Sequence, residues 1–447
     1  MERSLPLWVF LLCILLWAIF TVMFGWAIKS TLSGSDRSGI LGEAAVEIAS
    51  FPKTTRQVVQ ELLGDEDGNV RVYREQYADL SLFEPIPTNS DIEVPSLFMK
   101  ADRAAMSDGW RVLAGAFQIG GNIENAVLLI SPDLEIVRIW LLDEVAVGDL
   151  EPQSKLGKLV HGMEVLRDGS IIFTFDNSIS LQKFDVCGAR EWATAGDFHH
   201  SVALDDTSET VWTFNDQSTI AQVSVDDGSI LREISIDDVI AKNPGIDILE
   251  IRRIHFNDNH INSRETTGFW LEDPFHFNDV DPLPAAIASQ FDGFEAGDLL
   301  LSSRSLNLVF VLDPDTLEVK WWRMGTVQRQ HDPDWLPSGE ILIFNNRMSR
   351  DYSEIITIDP NTFEKEIIVD GSAHEFYTRV RGKHQMLDDG TVVVTSAQQG
   401  RAFEVNADGD VVFEVANVKL GAENTAYVIS ELRWLPRDFF DAEDWQC

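Results

Sequence analysis

The sequence predicts an all-β chain, a six-bladed β-propeller that follows an N-terminal transmembrane helix and a short, partly helical stalk. Three observations predict it. A charge-free apolar run extends from Leu5 to Ile28. From about Gly115 onward the chain breaks into short strand-like segments separated by Asp/Gly turns. Within that region a strand–strand–strand unit of about forty residues recurs around the chain, most often led by a histidine, as in propeller blades.

Taken in order, residues 1–4 form a tail and 5–28 a membrane anchor. Residues 29–105 form a juxtamembrane stalk and connector, 106–436 the propeller, and 437–447 a C-terminal tail. The run "LPLWVFLLCILLWAIFTVMFGWAI" is long enough to cross a bilayer as one helix. Signal peptides have shorter apolar cores and end in a small-residue cleavage site, so the run reads as an uncleaved anchor. Arg3 and the N-terminal amine precede it and Lys29 follows it, so the flanking positive charge is nearly balanced. The remainder shows no second span and is expected to lie wholly on one side, outside the cytoplasm. "LGEAAVEIASFPKTTRQVVQELLG" has helical apolar spacing broken by Pro52, and "EPIPTNSDIEVP" is a Pro-rich connector.

Composition narrows the function classes. The chain has 447 residues, 45% of them hydrophobic, enough for a sizeable core. Its 73 acidic residues against 35 basic ones give a formal charge of −38, and no basic stripe appears, which excludes nucleic acid as a natural partner. Three cysteines are too few for a disulfide scaffold; with Cys13 in the apolar run, Cys187 and Cys447 are left as a possible bridge.

The blade units share a scheme. In "HGMEVLRDGSIIFTF" from His161, "HSVALDDTSETVWTF" from His200 and "HDPDWLPSGEILIFNN" from His331, a Gly or Ser turn falls eight residues after the histidine and a strand follows. "FHFNDVDPLP" carries His276, and after an insertion "GDLLLSSR" supplies the matching strand, ending in Arg304. "HQMLDDGTVVVTS" places His384 only six residues before Gly390. "NAVLLISPDLEIVRIWLL" shows the later strands without a leading histidine. In a propeller the first strand of each blade lines the channel, so the histidines just before those strands gather at one channel mouth.

A histidine beside a turn ordinarily hydrogen-bonds backbone of the next blade, and His161 and His384 are read that way. His255 and His260, in "IHFNDNH", could cap a turn or bind a metal. Asp332 and Asp334 read as turn formers, although Asp332 could also orient an imidazole. His199 and His200 are adjacent, so one can face inward while the other orients it. His276 and Asn278 are two apart, which on a strand puts both side chains on one face. Imidazoles with a fixed arginine suit an oxyanion better than a hard cation, and no metal or cofactor is expected. Phe275, Phe277 and Trp335 could meet an aryl ring or pack between blades. A non-catalytic propeller that binds an envelope ligand or partner protein at the channel mouth would use the same ring, and so would a metal-dependent hydrolase or lyase.

In "DPFHFNDV", "GDLLLSSRSLNLVFVLDP", "VKWWRMG" and "QHDPDWLPSGEILIFNN" the chain resembles the bacterial arylsulfotransferases that use sulfate esters rather than a nucleotide sulfate. The resemblance runs from about Phe198 to Glu404. It implies a six-bladed propeller in the periplasm, tethered here to the inner membrane, with a histidine that becomes sulfated. It places that nucleophile at His331, supporting groups at His276 and Asn278, the arginine at Arg304, and the remaining histidine at His200 or, less directly, His199. The implied substrates are a small aryl sulfate donor and a phenolic acceptor.

Overall fold

The computed structural model describes residues 6–32, 80–89, 92–148, 158–176, 178–256, 267–270, 273–421 and 425–442, with parts of 39–49, 71–73, 150 and 447. Two compact units make up the chain, residues 1–66 and 67–447.

In the first unit a helix spans Leu7–Leu32. Its 26 residues rise about 39 Å at 1.5 Å per residue, against a hydrocarbon core of about 30 Å. Leu, Ile, Phe and Trp side chains are exposed all round it, and the helix is long and apolar enough to cross a membrane. It starts two residues later than expected and runs four further, because no Pro or Gly stops it at Lys29. The described residues of 39–49 are helical, whereas 51–70, the rest of the expected stalk, lie outside the described residues.

The second unit is a six-bladed propeller. Five blades are four-stranded sheets, and the sixth carries two added strands. Blade I joins strands from 109–141 to the C-terminal strand Ile429–Pro436, closing the ring with both ends of the domain. Blades II, III, IV, V and VI span 160–195, 198–235, 277–324, 331–370 and 383–417. Blade VI is widened by Leu97–Ala101, paired antiparallel to Val411–Asn417, and then by Glu84–Pro85. The sheet therefore reaches back into the segment read as connector, where "LFMKA" has the alternating burial of a strand.

Blades II to VI gain a strand beyond the expected three because the histidine segments are themselves the innermost strands: Val160–Val165, Phe198–Leu204, Phe277–Pro282, His331–Trp335 and Lys383–Met386; in blade I the added strand is Ile429–Pro436. Their polar residues face the channel, so they lack the apolar pattern that marks the other strands.

The ring is held by six apolar clusters, one at each junction between neighbouring blades. "ILIF" at 341–344 shows how: Ile341 and Ile343 pack against blade IV, Leu342 and Phe344 against blade VI. A strand buried on both faces reads as a continuous apolar run. At the seam between blades VI and I, Arg111 and Glu404 form a fully buried two-pronged ion pair, at 2.6 and 2.8 Å. A disulfide joins Cys187, in a turn of blade II, to Cys447.

Candidate active site

The inner strands of blades II, III, IV and V each carry a register shift where the histidine motifs lie: between Val160 and Gly162, His199 and Val202, Phe277 and Asp279, and His331 and Asp334. A bulge re-aims side chains that regular alternation would send to one face or the other. The backbone cost is visible at His200 and His276, with φ of 65° and 46°, a region that non-glycine residues seldom occupy. Gly162 lets the strands of blades II and III meet, since a Cβ there would lie 2.7 Å from the His200 carbonyl oxygen. The result is a cavity of about 330 Å³ lined by His161, His199, His200, His276, Arg304 and His331, among others. Their rings are in contact: His161 and His200 at 4.1 Å between centroids, His200 and His276 at 4.9 Å.

His331 is 3% exposed and its tautomer follows from its neighbours. Nδ1 lies 2.7 Å from Asn346 Oδ1 and 3.1 Å from the Arg329 carbonyl, both acceptors, so Nδ1 carries the proton. The Asn346 amide is oriented by its own nitrogen, which donates to the carbonyls of Thr378 and Arg381 at 2.9 and 2.6 Å. Nε2 therefore presents a lone pair, which accepts the backbone N–H of Arg381 at 3.1 Å. Burial pushes the His331 pKa well below its usual value; the bond to Asn346 opposes this, and the charge of Arg304 adds to it. The ring is neutral near pH 7.

A second chain of bonds sets His200. His199 Nε2 faces the Asp216 carbonyl at 2.8 Å and must donate to it. Its Nδ1 is then bare, and His200 Nδ1, 2.6 Å away, supplies the proton between them. His200 Nε2 is thus a free base. Burial, followed by the surrounding histidines, drives the His200 pKa well below normal, and burial lowers His199 as well. The adjacent histidines divide as expected, one inward and one orienting.

His276 Nδ1 pairs with Asp273, which turns Nε2 to the cavity. Burial would raise the Asp273 carboxyl, but the His276 bond and the charges of His276 and Arg304 hold it below its ordinary value. Arg304 begins just after the second strand of blade IV. Burial and the charge of Arg329 lower its pKa to about 10, so it stays cationic. It makes no ion pair among the described residues, and its buried Nε has no hydrogen-bond partner. A guanidinium so placed is a receptor for an anion.

Asn278 is placed differently from expectation. The bulge between Phe277 and Asp279 breaks the two-residue alternation, and Asn278 is buried behind the cavity wall, its Nδ2 donating to the Gln330 carbonyl at 2.7 Å. It steadies the approach to His331 rather than facing the cavity. Of the aromatic candidates, Phe277 lines the cavity. Phe275 packs in the core between blades III and IV, and Trp335 packs on Phe291 and Phe294. His260 lies outside the described residues, as does the side chain of His255.

Sequence reasoning missed His161, Asp176, Arg381 and Asn346. His161 was read as a backbone partner, but its ring enters the cavity and pairs with Asp176, whose other oxygen binds Arg381. Burial, then the Arg381 charge, brings the His161 pKa down to about 4 despite Asp176. A signal for these partners exists. The polar residue fifteen positions after the leading histidine is Asp176 for His161 and Asn346 for His331, at the end of the second strand in each hairpin. Arg304 directly follows the second strand of blade IV in the same way.

A family model described as Arylsulfotransferase (ASST) matches residues 162–418. No curated protein matches the chain. Among solved structures, a protein of unknown function from Bacteroides caccae is 13% identical, with a TM-score of 0.43, covering 73% of this chain and 98% of its own. Virginiamycin B lyase from Staphylococcus aureus is 9% identical, with a TM-score of 0.34, covering 62% of this chain and 84% of its own. Neither likeness bears on function.

Proposed function

The chain belongs to the arylsulfotransferase (ASST) family, and from that premise we propose that it moves a sulfuryl group from an aryl sulfate ester to a phenolic acceptor by two displacements through N-sulfated His331. The observation that carries this reading is the state of His331: neutral, with Nδ1–H held by Asn346 and an unprotonated Nε2 facing the same cavity as Arg304, which makes no ion pair among the described residues.

In the first displacement Nε2 attacks sulfur, the S–O bond to the aryl group breaks, and the phenolate leaves with the electron pair. The substrate displaces the Arg381 N–H from the lone pair. Arg304 holds the nonbridging oxygens as charge spreads over them in a loose transition state, by analogy with phosphoryl transfer, with the His276 ring, fixed by Asp273, lining the same cavity. The sulfated ring keeps its Nδ1 proton and is cationic, which makes it a good leaving group. In the second displacement His200 Nε2 takes the acceptor's hydroxyl proton, the phenolic oxygen attacks sulfur, and the pair returns to His331 Nε2. The proton on His200 then serves the phenolate of the next turnover.

The Leu7–Leu32 helix would tether the enzyme to the inner membrane with the propeller on the periplasmic side. The Cys187–Cys447 disulfide favours that side, since such bonds persist in oxidising compartments. The test is incubation of the full chain with a chromogenic aryl sulfate and a second phenol, with His331→Ala alongside. The reading requires sulfate on the second phenol and its loss in the variant; sulfate released only to water, or transfer surviving in the variant, would overturn it.

A further inference from the structure

Past the histidine ring, the same inner strands enclose a second cavity of about 350 Å³. Asp332 and Asp334 follow His331 along one strand, Asp279 and Asp281 follow Phe277 along another, and Lys383 and His384 come from a third. Asp332 adopts φ of 54°, so the bulge that turns His331 to the first cavity also turns its neighbour into the second.

The charges here do not balance. Lys383 pairs with Asp332 and, at 3.2 Å, with Asp279. Arg433 is taken by Glu164 and Glu431, at 2.6 and 2.7 Å. That leaves Asp281 and Asp334 without a cationic side chain among the described residues, unless His384 is protonated. One imidazolium would still leave the chamber strongly negative. The strain registers in the carboxyls: burial, with Asp332 and Asp334 nearby, raises Asp279 to about 7 even against Lys383. Burial and the charges of Asp334 and Asp279 raise Asp281 well above its usual value.

His384 supplies an independent observation. Its side chain is wholly buried, with Nδ1 3.0 Å from an Asp334 oxygen and 3.4 Å from an Asp332 oxygen, while Nε2 has no hydrogen-bond partner among the described residues. A buried ring nitrogen without a hydrogen bond is costly unless something else satisfies it. One donor atom from each of Asp332, Asp334 and His384 lies within 4.8 Å of the other two. The first shell is already oriented, since Asp332 accepts the His384 backbone N–H at 2.6 Å and the Lys383 ammonium. Such outer partners fix ligand geometry at metal sites.

We propose that Asp332, Asp334 and His384 bind a divalent metal ion of the zinc class, which accepts imidazole nitrogen and carboxylate oxygen together and leaves a fourth position open. The ion offsets part of the negative charge of the chamber and stiffens the inner strand directly behind His331. This makes the pair read as turn formers, and the histidine read as a backbone partner, into ligands.

The site is independent of sulfuryl transfer, because metal content is read without turnover. The full chain, purified in detergent and dialysed, is analysed by plasma mass spectrometry after loading with Zn²⁺, and by absorption after loading with Co²⁺. The expected result is about one equivalent of zinc and visible ligand-field bands of a low-coordinate cobalt site. Asp334→Asn and His384→Gln each lower the affinity at least about tenfold. A wild-type chain that retains no metal and shows no thermal shift with Zn²⁺ or Mn²⁺ overturns the proposal, with a protonated His384 as the remaining account. Binding unaltered in both variants overturns it as well. If a variant fails to fold, the wild-type cobalt spectrum and metal content still decide.

Discussion

Replacing Asn346 separates the state of His331 from the rest of the site. Asn346 accepts the Nδ1 proton at 2.7 Å and donates to two buried carbonyls at 2.9 and 2.6 Å. Asn346→Ala leaves those groups unpaired in the core. With a cost of about 1–3 kcal/mol for each buried group left unmade, and partial relaxation, we expect a stability loss of about 3 kcal/mol. The catalytic effect is distinct. Without Asn346 only the longer contacts to the Arg329 carbonyl and the Arg381 N–H, each 3.1 Å, hold the tautomer and orientation of the imidazole, and loss of such a supporting partner costs about 10- to 100-fold. The assay is single-turnover release of the phenolate from a chromogenic aryl sulfate, with thermal unfolding measured in parallel so that only folded enzyme is compared. Asn346→Asp supplies a sign test. Wild-type His331 has a depressed pKa, so it stays neutral and reactive as pH falls to well below 6.5. A carboxylate on Nδ1–H favours the imidazolium and raises that pKa, so the acid limb of the profile moves to higher pH. Phenolate release within about twofold of wild type in folded Asn346→Ala, together with an unmoved acid limb in Asn346→Asp, would refute the assignment of His331 as a tautomer-fixed nucleophile.

Removing the guanidinium by Arg304→Ala should lower kcat/KM by about 10²- to 10³-fold, as for loss of one oxyanion donor. Arg304→Lys should restore only part of it, because a point charge cannot reproduce the planar fork; full recovery would reduce Arg304 to a bulk charge. Asp176→Asn strands the buried Arg381 and should destabilise the chain by about 3 kcal/mol in denaturant unfolding at pH 7. The Asp176 carboxyl is held below its ordinary value, by Arg381 and His161 against the effect of burial. Its contribution is therefore complete above about pH 4 and is lost as pH falls through the lowered value, so the gap between wild type and variant should close only in acid.

The blade pattern was legible because the middle strands, such as "ILIF" and "LVFVL", are buried on both faces and stand out as apolar runs between Asp/Gly turns. The innermost strands were not. "HDPDW" and "KHQM" carry polar residues toward a channel that exists only once the ring closes, so they resemble loops. Five of the histidine and arginine positions named in advance line the first cavity: His199, His200, His276, Arg304 and His331. Asn278 does not, because strand alternation fails at a bulge, and bulges leave little mark in a single sequence. His161 reads as a backbone partner because the groups that give it a role are distant in sequence. Its partner Asp176 lies across the hairpin, and Arg381 comes from the segment before blade VI. Asn346 stood in the quoted "FNN" without a role, since its value lies in the direction of one amide rather than in its presence.

The central claim concerns a covalent bond at one atom, and the direct measurement is mass spectrometry of enzyme quenched after mixing with an aryl sulfate and no acceptor. The account predicts a sulfuryl group on the peptide containing His331, chased off when a phenol is added, and absent in His331→Ala. Phenolate released at the normal rate with that peptide unmodified, or the label found on His200 or His276 instead, would contradict it.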